Sequence, residues 1–243
     1  KVAAPAPSLA PPDGRGAGGA FVLAAALRDY VQKNPKSITL HAAGHSAGSI
    51  YHSAFVPLLF SGDDAVPSVK TVTFLAPAVR IDTFEQKLLP LARSGGIEDL
   101  SIFTMNRDQE KRDNTGGVYR KSLLWLVSHA FEVEKEARIL GLEEHLRTAG
   151  PTLSYLKQED ERLVLGPTSA GKRTSTLATS HGDFDNDVAT MMSLARRVVG
   201  TNGADADDDV SKPFGAESRD AFPTPPPEPT VSRGGEPCQG ALR

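Results

Sequence analysis

The chain of 243 residues has one cysteine, Cys238, one tryptophan, Trp125, and three methionines. A single cysteine excludes an intrachain disulfide framework and leaves no cysteine-based zinc set, so no metal is expected. It also fits a reducing compartment. No apolar run approaches the ~20 residues that a membrane helix needs. The longest candidate, Ala20–Leu27, runs on into Arg28-Asp29-Tyr30 as an amphipathic helix. No secretory signal is visible, because Lys1 is followed by Pro- and Ala-rich sequence without an apolar block. These absences point to the cytoplasm. The net charge of −3 provides no basic footprint for nucleic acid. At 39% the hydrophobic content is low for a wholly packed chain. Because the sequence starts at Lys rather than Met, the native chain is expected to extend upstream.

What is present divides into three parts. Residues 1–18, rich in Pro, Gly and Ala, read as a flexible arm. Residues 201–243 read as a disordered acidic and Pro-rich tail, with four aspartates in Asp205–Asp209 and five prolines in Pro223–Pro229. Between them, 19–200 carries alternating strand and helix patterns. Helices are predicted at Ala20–Lys33, Ser49–Phe60, Asp82–Leu91, Val118–Glu136 and Asp185–Val199, and strands at Ile38–Ala43, Val69–Leu75, Leu100–Met105 and Arg162–Leu165. The alternation predicts an α/β domain: a mostly parallel sheet, its strands in chain order, with helices on both faces.

The most informative segment is Gly44-His45-Ser46-Ala47-Gly48. It reads Gly-x-Ser-x-Gly, and it lies between a predicted strand and a predicted helix. In that setting the pattern forms a nucleophile elbow, a turn so tight that glycines must flank the serine and the hydroxyl is left exposed. A structural turn would explain the glycines, but not the serine between them. Serine needs a base to take its proton, and the base needs an acid to orient it. The chain offers these in the order nucleophile, acid, base. Asp108 follows the third strand, with Asp113 as the alternative acid; His181 lies between the fourth strand and the last helix. Asp183 and Asp185 are expected to cap that helix. The Ala47 N–H, at the first turn of the helix after the elbow, is the expected oxyanion donor. His45 is placed to line the site, and His41 in the core. Gly166 to Thr174 has a phosphate-loop-like spacing but carries Arg173 where a magnesium-binding hydroxyl would stand, and so reads as the loop leading to His181. Leu123 to Leu126 form an apolar patch read as core, with a lid as the alternative.

Taken with Thr-Phe-Leu-Ala-Pro at 73–77, Ser-Ile-Phe-Thr-Met at 101–105 and Ser-His-Gly-Asp-Phe-Asp at 180–185, the elbow resembles the α/β-hydrolase-fold serine hydrolases of the lipase and esterase type. The resemblance covers roughly residues 20–200. It implies hydrolysis of a small-molecule acyl ester without a cofactor, with Ser46 as nucleophile, His181 as base and an acid after the third strand. It also implies that the amino-terminal strands of that fold are missing, together with the loop that usually supplies a second oxyanion donor. A catalytically silent binding or assembly domain of the same fold is the competing expectation.

Overall fold

A computed structural model describes residues 18–200 apart from Lys36, Gly116 and Val118. The arm and the tail expected at the two ends lie outside the described residues, except Gly18. The first helix, α1 (Gly19–Lys33), ends where Asn34 leaves helical geometry ahead of Pro35. It packs against α2 (Gly48–Leu59), which follows β1 (His41–His45) directly. Next come β2 (Val69–Leu75), α3 (Ile81–Lys87) and α4 (Leu89–Arg93). The single helix expected over Asp82–Leu91 is therefore two. Pro90 stands in the first turn of α4 and has no N–H to continue the ladder of α3.

The third strand, β3 (Ile97–Met105), leads into α5 (Arg107–Arg112). The long helix expected over Val118–Glu136 is absent. That segment holds one short helix, α6 (Leu123–Leu126), continued by a π-helical turn over Val127–Phe131. The chain then turns back. Ser128 Oγ donates to the Ala137 carbonyl at 2.8 Å, and Arg80 draws Glu134 to 2.8 Å. Two short helices, α7 (Glu143–Leu146) and α8 (Gly150–Leu156), precede β4 (Leu163–Gly166). A two-residue hairpin, β5 (Thr168–Ser169) with β6 (Ser175–Thr176), and α9 (Val188–Val199) complete the described chain.

The sheet is parallel throughout, in the order β1-β2-β3-β4. Strand order and chain order coincide, as the alternating pattern predicts. The strands end at Leu75, Met105 and Gly166 beside His45, so the loops that follow share one edge. Both faces are covered. Val72, Phe74, Leu100 and Ile102 enter one apolar cluster with residues of α1 to α4 and α8; Leu75, Phe103 and Met105 enter a second with Leu124, Trp125 and Phe184. Each such large side chain stabilises the fold by ~1.5–3 kcal/mol on burial. The carboxyl end of α9 is tied down by Arg197, whose side chain is fully buried. It donates to both Asp99 carboxylate oxygens at 3.2 Å and to the Glu161 carbonyl at 2.6 Å. That anchor fixes the far end of the segment that carries His181. Among the described residues, no helix is long and apolar enough to cross a membrane.

Candidate active site

Ser46 sits at the junction of β1 and α2 with φ = 50°, in the left-handed region that costs a non-glycine residue about 1–3 kcal/mol. The neighbouring backbone imposes this. Ser46 N–H donates to the Leu75 carbonyl at 2.9 Å. The Ser46 carbonyl accepts from Ala78 N–H at 3.1 Å, from Ser49 N–H at 3.1 Å and from Ser49 Oγ at 2.6 Å. Ser49 Oγ in turn accepts from Val79 N–H at 3.0 Å. The end of β2 is thus wrapped around the turn. Gly44 is a steric necessity, because a Cβ there would lie 2.7 Å from the Gly48 carbonyl carbon. Gly48 is different: a Cβ on it would meet nothing within 4 Å. The expectation that the turn leaves no room for a side chain at either flank therefore holds at Gly44 and not at Gly48. Ala47 is the N-cap of α2, so the amino end of that helix lies next to the serine.

His181 arrives from the other end of the domain, on the loop between β6 and α9. Its Nε2 lies 3.0 Å from Ser46 Oγ. The loop is shaped by two aspartates. Asp183 Oδ2 accepts Thr179 N–H at 3.0 Å and Ser180 N–H at 2.8 Å; Asp187 caps α9 through Thr190 N–H at 2.9 Å and also holds Leu177 N–H at 2.8 Å. Of the two residues expected to cap the last helix, Asp183 stabilises the preceding loop, Asp185 does neither, and Asp187 is the cap. Gln109 of α5 adds a further tie by donating to the Thr179 carbonyl.

His181 is only 7% exposed. Burial, and next the neighbouring His45, lower its pKa to about 4, an effect partly offset by Asp185. At neutral pH the ring is therefore uncharged and able to take a proton from Ser46. His45 touches His181 twice. Its ring lies 5.1 Å from the His181 ring, centroid to centroid, and its Nε2 donates to the His181 carbonyl at 2.9 Å. On the other side of His45, Nδ1 is 3.5 Å from Asp185 Oδ2.

The expected acid is where the arrangement departs from the sequence reading. Asp108 lies in the first turn of α5 and is exposed, and its carbonyl accepts from Arg112 Nε. It is not brought to His181. Asp113, just past α5, is. Its Oδ2 accepts the backbone N–H of His181 at 3.1 Å, while Oδ1 accepts Asn114 N–H at 2.7 Å. The His181 Nδ1 is buried and has no hydrogen-bond partner. The ring is thus engaged at Nε2 alone. A cleft of about 230 Å³, lined by Asp113, Asn114, Thr115, Leu123, Ser180 and His181, opens on this side.

Two features escaped the sequence reading. One is the pairing of His45 with Asp185, which no spacing announces, since the residues lie far apart along the chain. The other is Glu110, which is 1% exposed and accepts from Ser122 Oγ. Burial, opposed by that hydrogen bond and reinforced by the charge of Asp113, raises its pKa to about 8. It sat unnoticed in a charged run that reads as a solvated loop. His41, expected in the core, is half-buried at the outer strand, with Nδ1 2.9 Å from Thr71 Oγ1. Among the described residues no group of His, Cys, Asp or Glu could hold a metal ion. No family model, curated protein or solved structure matches the chain.

Proposed function

We propose that this protein is a serine hydrolase of esterase type. The observation that carries the reading is the strained Ser46, at φ = 50° between a parallel strand and a helix, with Oγ 3.0 Å from Nε2 of a buried, neutral histidine. A hydroxyl within hydrogen-bond reach of a base is what covalent acyl transfer requires, and strain of this kind clusters at functional sites.

In this reading Ser46 Oγ attacks the carbonyl carbon of an ester while its proton passes to His181 Nε2. Charge develops on the carbonyl oxygen, where the Ala47 N–H and the amino end of α2 offset it. The tetrahedral intermediate collapses, the alcohol leaves with the proton from His181, and Ser46 is left acylated. Water then repeats the sequence: His181 takes its proton, and the acid departs as Ser46 recovers its hydrogen. Asp113 is the acid of choice. It already holds His181 by the main chain and lines the same cleft as His181, whose Nδ1 is unpartnered.

One observation favours the alternative, a silent domain with hydrolase-like geometry: Nδ1 has no acceptor. Labelling with a fluorophosphonate probe decides between them. The hydrolase reading expects covalent modification of Ser46 in the full chain, abolished by Ser46→Ala and by His181→Ala. Absence of labelling in a folded protein would leave the silent domain.

A further inference from the structure

The unpartnered Nδ1 raises the question of what holds the His181 ring at the angle that meets Ser46. On the Asp113 side the hold is through the main chain only. Beside Ser46, the ring of His45 lies against that of His181. His45 precedes Ser46 directly, so it shares the rigid end of β1 with the nucleophile. Its ring is tilted 32° to that of His181, and its Nε2–H reaches back to the carbonyl of the same residue. Because a carbonyl can only accept, the hydrogen bond puts a proton on His45 Nε2; Nδ1, 3.5 Å from Asp185 Oδ2, is drawn to that carboxylate only when it carries a proton as well. The titratable groups that meet His45 are His181, through ring and carbonyl, and Asp185; its partner on β2, Leu75, carries no charge.

We propose that His45 is the positioning residue of His181: it fixes the loop through the carbonyl and the ring through the contact of the two imidazoles. This rests on the hydrolase reading, which it deepens by assigning the residue between the two glycines that precedes the nucleophile. The physical need is plain. A general base displaced by a fraction of its hydrogen-bond length loses most of its advantage, so a ring with one free nitrogen needs another constraint. The same contact makes the two histidines electrostatically coupled. A proton on His45 disfavours one on His181, whereas the Asp185 carboxylate favours it.

The two neighbours therefore push the acid limb of the reaction in opposite directions, which a purely structural role does not do. The test is the rate of fluorophosphonate labelling between about pH 4 and pH 9 for the native chain, His45→Ala, His45→Gln and Asp185→Asn, with circular dichroism to confirm folding. His45→Ala should label about tenfold more slowly or worse at pH 8, the scale of one lost hydrogen bond. His45→Gln, whose amide can still donate to the His181 carbonyl, should recover most of the rate. Its acid limb should move to higher pH, because the like-charged neighbour is gone. That of Asp185→Asn should move to lower pH. Native labelling with a His45→Ala rate equal to the native one, or a His45→Gln limb that does not move, overturns the proposal and leaves the hydrolase reading intact. If the native chain does not label at all, the hydrolase reading fails. Positioning then stands or falls on NMR titration of the His181 ring, whose pKa must rise in His45→Gln and fall in Asp185→Asn.

Discussion

Asp113 holds His181 by the backbone N–H, at 3.1 Å, rather than by the ring. The consequence is a separable pair of roles. Asp113→Asn keeps an oxygen to accept the N–H but loses the charge, so folding should survive, with a melting temperature close to native. Labelling of Ser46 should nevertheless slow by about 10- to 100-fold, the equivalent of ~1.5–3 kcal/mol for a hydrogen bond to a charged group. Asp108→Ala, on the exposed face of α5, should stay within about twofold of native, as surface substitutions do. Stopped-flow labelling rates for the two variants identify the acid, and an effect confined to Asp108→Ala would reverse the assignment.

The buried His181 makes a prediction about pH. With its pKa lowered to about 4 from 6.5, by burial first and then by His45, the base remains unprotonated well into acid. The acid limb of kcat/KM for a soluble ester should be centred near 4 rather than near 6.5. A folded-state pKa below the unfolded value also costs stability on the acid side. The contribution is complete above 6.5 and is lost as pH falls toward 4. His181→Gln should therefore melt less steeply with pH across that window, which differential scanning calorimetry measures.

Glu110 predicts the opposite slope. Its pKa is raised from 4.5 to about 8, chiefly by burial, so its contribution is present below 4.5 and is lost as pH rises through 8. Between about pH 6 and pH 8 that loss is roughly 2 kcal/mol, or ~4–8 °C in melting temperature for a domain of this size. Glu110→Gln keeps an acceptor for Ser122 Oγ and removes the titration. Its melting curves should show a smaller decline toward alkaline pH than the native protein, and equal slopes would contradict the burial of this carboxyl.

The elbow glycines give a paired stability test. Gly44→Ala places a methyl group 2.7 Å from the backbone of Gly48, so the turn must shift. A loss of about 1–3 kcal/mol, typical of overpacking, should accompany the loss of labelling. In Gly48→Ala the added carbon meets open space. Its melting temperature should be unchanged or slightly raised, since alanine reduces the freedom of the unfolded chain. Denaturant titrations of the two variants check both signs.

What the sequence made legible follows from which signals are local. β2 reads correctly from Val69 to Leu75 because Val, Thr and Phe, which favour strands, fill it between turn signals, and six of its seven residues are buried. The elbow, too, is a five-residue signal. The segment from Val118 to Glu136 misled because Leu123 to Val127 set up a helical pattern that the residues beyond do not sustain: Val133 is 96% exposed and Glu136 has φ = 62°. The choice between Asp108 and Asp113 turned on α5. Counting from the end of β3 favours Asp108 if the loop is extended. Asn106, however, starts a helix by accepting Gln109 N–H at 2.9 Å, which puts Asp108 in its first turn and Asp113 at its C-cap. The cap was readable as Asn106 followed three residues later by Gln109. The contact between His45 and Asp185 carries no local mark at all, since it exists only once the last loop has folded onto the first strand.

That late closure bears on the order in which the protein acquires its parts. The bonds that strain Ser46 come from its own helix and from the end of the next strand, so the elbow is complete when β1, α2 and β2 have assembled. His181 meets it across β3 and β4, from a segment whose far end is held by Arg197. Closing so long a loop is slow compared with forming its local pieces. In refolding, the local contacts around Ser46 are therefore expected to form ahead of the approach of His181. Recovery of Ser46 reactivity should trail recovery of the circular dichroism signal, making the serine a built-in clock for the last step of folding.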